Sequence, residues 1–270
     1  MRLLPAAVLL LAGCAGGQRA ATPEEARPTI VSLNPCTDAI LAEVTAPGQL
    51  LAISHYSKDP NASSIDPADA ARFAATGGTV EEVLALDPDI VVASSFLAPA
   101  TRSAFTDLGV RVETFGGTTS VEQSLDQVRA LADMAGHPEA GQALVRRIGD
   151  ALRRATGQGA GTVEAAVWQP GGIVPGEAAL VSDLLRRTGF AGYGARRGLA
   201  QADYLALEQV LADPPDVLLV AGSDVGQRHP ALENLPAMRR EPFDTRLIYC
   251  GGPTIARAAE RLAAIRGAMP

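Results

Sequence analysis

Short apolar, β-branched runs alternate along this chain with longer segments of helical period. Strand-like runs fall at residues 29–34 (TIVSLN), 50–54, 89–94, 110–115 (VRVETF), 163–169 (VEAAVWQ), 216–221 and 246–250 (RLIYC). Runs of this kind, bounded by Pro, Gly or polar residues, read as buried strands. Helices are predicted over 37–46, 80–86, 100–108, 178–188 and 254–267, with Gly189 stopping the fourth. Residues 55–79 are polar, carry Pro and Gly, and show little period. The longest stretch without strand character is 119–156. There Val121, Leu125, Val128, Leu131 and Ala132 recur at helical spacing, Gly136-His137-Pro138 interrupts, and a second helix runs from Glu139 to Ala155. Strands alternating with helices imply parallel βαβ units.

Two stretches read almost alike. Residues 81–93 are EEVLALDPDIVVA and residues 208–220 are EQVLADPPDVLLV. Glu81/Glu208, Val83/Val210, Leu84/Leu211, Ala85/Ala212, Pro88/Pro215 and Asp89/Asp216 are identical pairs. The spacing is too long for a solenoid repeat and fits two α/β lobes of ordinary domain size. Two similar lobes make a cleft, a common place for a ligand. Chance similarity of two helix-to-strand turns is the alternative. The segment 119–156 lies between the repeats and reads as the bridge between lobes.

The front end sets the compartment. MRLLPAAVLLLAGCAGG has one Arg and an apolar run over Leu3–Ala12, too short to span a membrane and suited to a signal peptide. Leu11-Ala12-Gly13-Cys14 resembles the bacterial lipoprotein processing box, which implies cleavage before Cys14 and lipidation of its thiol. An ordinary secretory signal cut near Gly17 or Ala21 is the alternative. The expected organisation is a signal peptide at 1–13, a flexible tether at 14–28, an N-terminal lobe at 29–137, a bridging helix at 138–158 and a C-terminal lobe at 159–270. The net charge of −7 argues against a nucleic-acid partner.

The chain resembles the periplasmic substrate-binding proteins of ABC importers for metal chelates. The resemblance is carried by TIVSLNPCTDAILAEV…LLAISHYSKDP, by TGGTVEEVLALDPDIVVAS, and less sharply by GGIVPGEAALVSDLLRRTGF and LEQVLADPPDVLLV. A narrower subgroup shares the segments Leu33–Asp38 and Cys250–Pro253. The resemblance implies two Rossmann-like α/β lobes with parallel sheets joined by a long bridging helix. It implies no catalysis and no resident cofactor. The cargo would be a ferric siderophore, haem or a corrinoid, passed by a monomeric, lipid-anchored protein to a permease dimer with its ATPase subunits. Glu81 and Glu208, one per lobe, would dock onto arginine pockets of the permease; as an alternative, each merely favours a helix N-terminus. Cobalamin-binding relatives line the cleft with several Trp, but Ala75, Ser94 and Ala202 stand at the aligned places and only Tyr56 survives. A ferric siderophore therefore leads.

Ligand contacts are expected in loops after strand carboxyl ends. The candidates are Asn34, Cys36, His55, Tyr56, Ser94, Phe96, Trp168, Arg196, Arg197 and Gly251. Tyr56 and Trp168 offer flat faces with a polar handle, although Trp168 also suits a core. Arg196 and Arg197, in the Gly-rich stretch GYGARRG, suit anionic groups of a ligand or a solvated charge pair. Cys36 and Cys250 are either a disulfide between lobes or a thiol pair touching ligand or metal.

Three widely spaced histidines, and neither Cys-x-x-Cys nor His-Glu-x-x-His, disfavour chelation of a bare metal. The absence of Gly-x-Ser-x-Gly and of a phosphate loop with Lys disfavours a hydrolase or nucleotide enzyme. A lipoprotein that scavenges without transport is the remaining alternative.

Overall fold

The computed structural model describes residues 27–157 and 161–269. The signal peptide, Cys14 and most of the tether lie outside the described residues. The elements, in chain order, begin with β1 (Ile30–Ser32), α1 (Pro35–Val44), β2 (Leu50–Ser54), α2 (Pro67–Ala71), β3 (Ala74–Thr76), α3 (Val80–Leu84), β4 (Ile90–Ser94), α4 (Pro99–Asp107) and β5 (Arg111–Phe115). The paired helices α5 (Val121–Met134) and α6 (Pro138–Ala155) follow. The second half holds β6 (Val163–Trp168), β7 (Ile173–Pro175), α7 (Leu180–Arg187), β8 (Phe190–Gly192), α8 (Tyr193–Arg196), β9 (Ala202–Tyr204), α9 (Leu207–Ala212), β10 (Val217–Ala221), β11 (Arg239–Phe243) and α10 (Thr254–Gly267).

The first lobe is a parallel sheet of order β3-β2-β1-β4-β5, and the second a parallel sheet of order β11-β10-β6-β8. A short antiparallel ladder, β7 with β9, lies beside the second sheet. Parallel strands need crossovers, and the helices between them cover both faces.

The 81–93 and 208–220 repeat has one structural role in both lobes. Val83 and Val210 are both fully buried, and each short helix feeds a strand that lies one in from its sheet edge. The Asp that opens each strand accepts a backbone amide at the start of the adjoining central strand. Asp89 takes the Thr29 amide at 2.7 Å and Asp216 takes the Glu164 amide at 2.7 Å. Each carboxylate thereby sets the register of two neighbouring strands.

The two lobes share one apolar core. It runs from Ile30, Ile53 and Val92 in the first sheet, through Leu131, Leu144 and Ile148 on α5 and α6, to Ala165 and Leu219 in the second sheet and Leu262 on α10. Helix α10 lies along α6 and reaches both lobes. The Cβ that Gly252, just before α10, lacks would sit 2.6 Å from Ile40 of the first lobe. Arg266, near its end, donates to the Gly189 and Gly161 carbonyls of the second. The outer faces carry separate clusters, one around Val83, Val91 and Phe105, the other around Trp168, Tyr193 and Leu218.

The expected strand at 246–250 does not form. Asp244 accepts the Arg246 amide at 2.9 Å and starts a single 3-10 turn at Thr245–Leu247. The strand is instead RREPF at 239–243, a polar run with Pro242 inside it. It pairs only with β10, and proline is tolerated on such an edge. The stretch 192–198 is likewise not a free glycine loop, because Tyr193–Arg196 form α8 and Gly194 is pressed against the Pro175 carbonyl. Among the described residues no helix is long and apolar enough to cross a membrane.

Candidate functional site

In each open parallel sheet the strand order reverses once, between β1 and β4 in the first lobe and between β6 and β10 in the second. Such switch points are where α/β sheets present ligands, at the carboxyl ends of the strands. In the second lobe the crevice is filled from within. The buried Gln227 amide donates to the Trp168 carbonyl at 2.7 Å and the Ala221 carbonyl at 3.0 Å, tying the ends of β6 and β10 together. In the first lobe the crevice is flanked by Asn34 and by Ser94 and Phe96.

A cavity of about 270 Å³ opens between the lobes. From the first lobe it is lined by Cys36, by Gly116 to Thr119 after β5, and by Gln127 of α5. From the second it is lined by Gln169, Pro175, Ala178 to Val181, Gln201, Ala202 and Ile248 to Gly251. Its lining is neutral: amide and hydroxyl side chains, backbone and apolar groups. Two direct bonds set the width of this slot on its inner side. The Gly252 amide donates to Ser124 Oγ at 2.7 Å, and the Val121 amide to Asp183 Oδ2 at 2.9 Å. A larger groove of about 460 Å³ lies between α1, α6 and α10, crossed by the ion pairs Arg147–Glu43 and Arg154–Glu260.

The turn that carries His55 and Tyr56 follows β2 as a 3-10 segment, His55–Lys58. Its support is Asp38 of α1, fully buried, whose Oδ2 accepts the Ser54 amide at 2.9 Å and the Ser57 hydroxyl at 2.6 Å. Burial pushes the Asp38 carboxyl up to about 7, against the hydrogen bonds from Ser57 and Ser54 and the nearby Ser32 hydroxyl, which favour its charged form. His55 Nδ1 lies 3.3 Å from the Thr76 carbonyl, and its ring meets that of Tyr56 with centroids 4.0 Å apart. Tyr56 is left 55 % exposed. The Lys58 ammonium is engaged by the carbonyls of Ala70 and Phe73.

The structure distributes the sequence candidates unevenly. Cys36 and Gly251 line the interlobe slot, and Cys36 and Cys250 are joined in a disulfide across it, Cα atoms 5.0 Å apart. His55, Tyr56, Ser94 and Phe96 lie at the carboxyl edge of the first sheet, outside the slot lining. Phe96 is 91 % exposed, far more than a core aromatic. The Asn34 side chain is committed locally, accepting the Cys36 amide at 3.0 Å as the N-cap of α1. Ser94 likewise accepts the Phe96 amide at 3.2 Å.

Three candidates are corrected. Trp168 ends β6 but turns to the outer face, 3 % exposed among Val174, Tyr193, Leu205 and Leu232. Along a strand, alternate side chains point to opposite faces, and Trp168 falls on the packed one. Arg196 and Arg197 sit at the opposite end of the second sheet. Arg196 is paired with Glu164 at the start of β6 and with Asp213, while Arg197 pairs with Asp213 at 2.8 Å and stacks over the Tyr193 ring at 4.5 Å. Neither guanidinium faces the slot.

Glu81 and Glu208 are both exposed, each second in its helix. Glu82 Oε2 accepts the Thr76 hydroxyl at 2.9 Å and the Gly77 amide at 2.6 Å, which holds the start of α3 at the carboxyl edge of the sheet. These bonds hold the Glu82 carboxyl below its ordinary range. In α9 the Gln209 side chain accepts the Ala206 amide at 3.0 Å. Both carboxylates thus stand on helix starts of matching construction, one per lobe.

The sequence reading missed Tyr204 and Tyr249, 66 % and 43 % exposed. Tyr204 lies in the short ladder strand β9, and Tyr249 in the segment misread as a strand. It also missed the neutral slot residues Thr118 and Gln201, which only the opposition of the two lobes brings together. Among the described residues no group of three or more His, Cys, Asp or Glu is placed to hold a metal ion.

Solved structures share this architecture. A periplasmic haem-binding protein, RhuT of Roseiflexus sp. RS-1, superposes with a TM-score of 0.72 at 18 % identity, over 90 % of this chain and 99 % of that one. The periplasmic haem-binding protein HutB of Vibrio cholerae gives 0.71 at 15 % identity, over 88 % and 98 %. The periplasmic vitamin B12-binding protein BtuF of the same organism gives 0.67 at 18 % identity, over 89 % and 96 %. At these identities the likeness is one of fold. A search of curated protein sequences finds no match. The periplasmic binding protein family model matches residues 30–243, covering both sheets from β1 to β11, and the chain belongs to that family.

Proposed function

We propose that this chain is the substrate-binding component of an ABC importer, which captures an iron complex of the ferric siderophore type between its lobes and delivers it to a permease. The observation that carries this reading is the pairing of an interlobe slot with exposed Glu81 and Glu208 on equivalent helix starts. Two like carboxylates, one per lobe, suit a permease of two equal subunits. The neutral amide and hydroxyl lining suits a chelate whose own surface is made of amide-like donors and acceptors. The protein works as a monomer in the periplasm, with lobes at 29–137 and 159–270 about a bridging helix at 138–158. The signal peptide at 1–13 is removed, lipid on Cys14 holds the chain to the membrane, and residues 14–28 serve as its tether. Its role is binding, without chemistry on the cargo.

A flat macrocycle, haem or a corrinoid, is the second reading. It is favoured by the exposed rings of Tyr56, Phe96, Tyr204 and Tyr249. The test is calorimetry of the mature chain with a ferric hydroxamate, a ferric catecholate, haem and cyanocobalamin. Saturable binding of a ferric siderophore at sub-micromolar concentration supports the first reading. Binding of haem or cobalamin alone replaces it with the second, and heat from none of the four rejects both.

A further inference from the structure

The Cys36–Cys250 bond joins residues 214 apart in sequence. Cys36 is the second residue of α1, and Cys250 lies between the 3-10 turn at Thr245–Leu247 and α10, so the bond crosses from one lobe to the other. Both cysteines line the slot. Each is also mechanically next to an exposed tyrosine. Tyr249 adjoins Cys250 directly. Two residues past Cys36, Asp38 holds the Ser54 amide and Ser57 hydroxyl, and through them the turn that presents Tyr56. Besides the disulfide, the close approach of the lobes at the slot rests on the Gly252–Ser124 and Val121–Asp183 hydrogen bonds and on Gly252 against Ile40.

We infer that the Cys36–Cys250 disulfide is a redox-sensitive latch, which fixes the spacing between the Tyr56 turn beside the slot and Tyr249 in its lining when oxidised and releases it when reduced. Coupling needs a contiguous physical path, and here it runs from sulfur through the first turn of α1 to Asp38 and the Tyr56 turn. The two cysteines differ in access. Cys36 is half-buried and Cys250 only 5 % exposed. A dithiol reductant therefore attacks Cys36 Sγ with one thiolate, forming a mixed disulfide as the Cys36–Cys250 bond breaks, and Cys250 leaves as a thiolate that takes up a proton. The second thiol of the reductant then displaces Cys36. The dithiol ends as a disulfide, having supplied two electrons and two protons. The consequence for cargo rests on the function proposed above, whereas the latch itself is testable without cargo.

The test is hydrogen exchange of the full chain, oxidised and in dithiothreitol, with far-UV circular dichroism to confirm that the reduced chain stays folded. A Cys36→Ser, Cys250→Ser double variant serves as a second form. The latch requires exchange faster by roughly an order of magnitude at 35–58 and 248–256, with α9 and β10 unchanged. Unchanged rates at those two stretches, free thiols in the oxidised chain, or acceleration everywhere would each overturn it. Ferrichrome then probes the consequence. Faster release from the reduced chain supports the link to cargo, equal release breaks that link, and no binding to either form counts against the proposed function and leaves exchange to decide the latch.

Discussion

The Asp38 carboxylate and the Ser57 hydroxyl meet at 2.6 Å, both side chains shielded from water, and this contact joins α1 to the turn that presents Tyr56. A short polar contact in a dry site is strong, and an unpaired partner there is costly. Its Oδ1 has no hydrogen-bond partner.

Stability should fall as pH rises across the acid side of neutrality. Folded Asp38 keeps its proton up to about 7, whereas the same group in the unfolded chain releases it near its ordinary value of 3.8. Between these values the folded chain binds more protons, so the favourable contribution is complete at the acid end and is lost as pH rises through the folded value, by at most about 1.4 kcal/mol per pH unit. Asp38→Asn keeps an acceptor for the Ser54 amide and should remove this slope. Urea unfolding of both proteins at about pH 5 and about pH 8 measures it. A slope that persists in the Asn variant assigns the effect elsewhere.

Trp168 should be silent to cargo. Its burial predicts blue-shifted emission that acrylamide quenches poorly, with or without ligand. Trp168→Ala should cost about 3–5 kcal/mol through the cavity it leaves among Val174, Tyr193 and Leu232. Strong ligand-dependent quenching of the wild-type chain would contradict this placement.

Reversing Glu81 and Glu208 together to Arg should abolish uptake and leave cargo affinity in solution unchanged. Both are exposed on helix starts away from the apolar core, so the fold should tolerate the change. A growth assay on the bound cargo, paired with calorimetry, separates the two effects. Normal growth would remove these carboxylates from any docking role.

Arg196→Ala and Arg197→Ala should shift stability without touching binding. Arg196 is half exposed and its pairs with Glu164 and Asp213 are screened, so its loss should cost roughly 0.5–1 kcal/mol. Arg197 lies closer over the Tyr193 ring than Arg196 does, 4.5 Å against 5.2 Å, and should cost about 1 kcal/mol or slightly more. Weakened binding of an anionic chelate by either variant would bring these guanidinium groups back to the cargo site.

Gly251→Ala should loosen the lobes. A Cβ there collides with Ser124 Oγ and comes within 3.0 Å of Thr118 Oγ1, and Ser124 is the acceptor for the Gly252 amide. Overpacking of this kind costs about 1–3 kcal/mol. Thermal unfolding and small-angle scattering should show a lower midpoint and a wider particle. An unchanged midpoint would mean that the lobes part without resistance here.

By itself the sequence determined the elements whose signal is local. The apolar strands β1, β2, β4, β5, β6 and β10, the amphipathic α5 and α6, and the repeated Glu-to-Asp turn are legible because side-chain period and breaker residues act within a few positions. The alternation of these elements implied parallel βαβ units, the internal repeat implied two lobes, and the family resemblance implied the helix that joins them. The edge strands β3, β8 and β11 were not legible: β11 is RREPF, and its strand state is decided by the row of β10 amides and carbonyls beside it. Nor was the orientation of strand-end residues. Trp168 ends β6, yet it packs outward into a core instead of facing the slot, because a step of one residue along a strand reverses the face and only the neighbouring layers say which face is covered. The pairings that build the site, Cys36 with Cys250, Ser124 with Gly252 and Asp183 with Val121, join residues far apart in sequence. No local propensity encodes such contacts; they exist only once the shared core around α5, α6 and α10 has brought the lobes face to face.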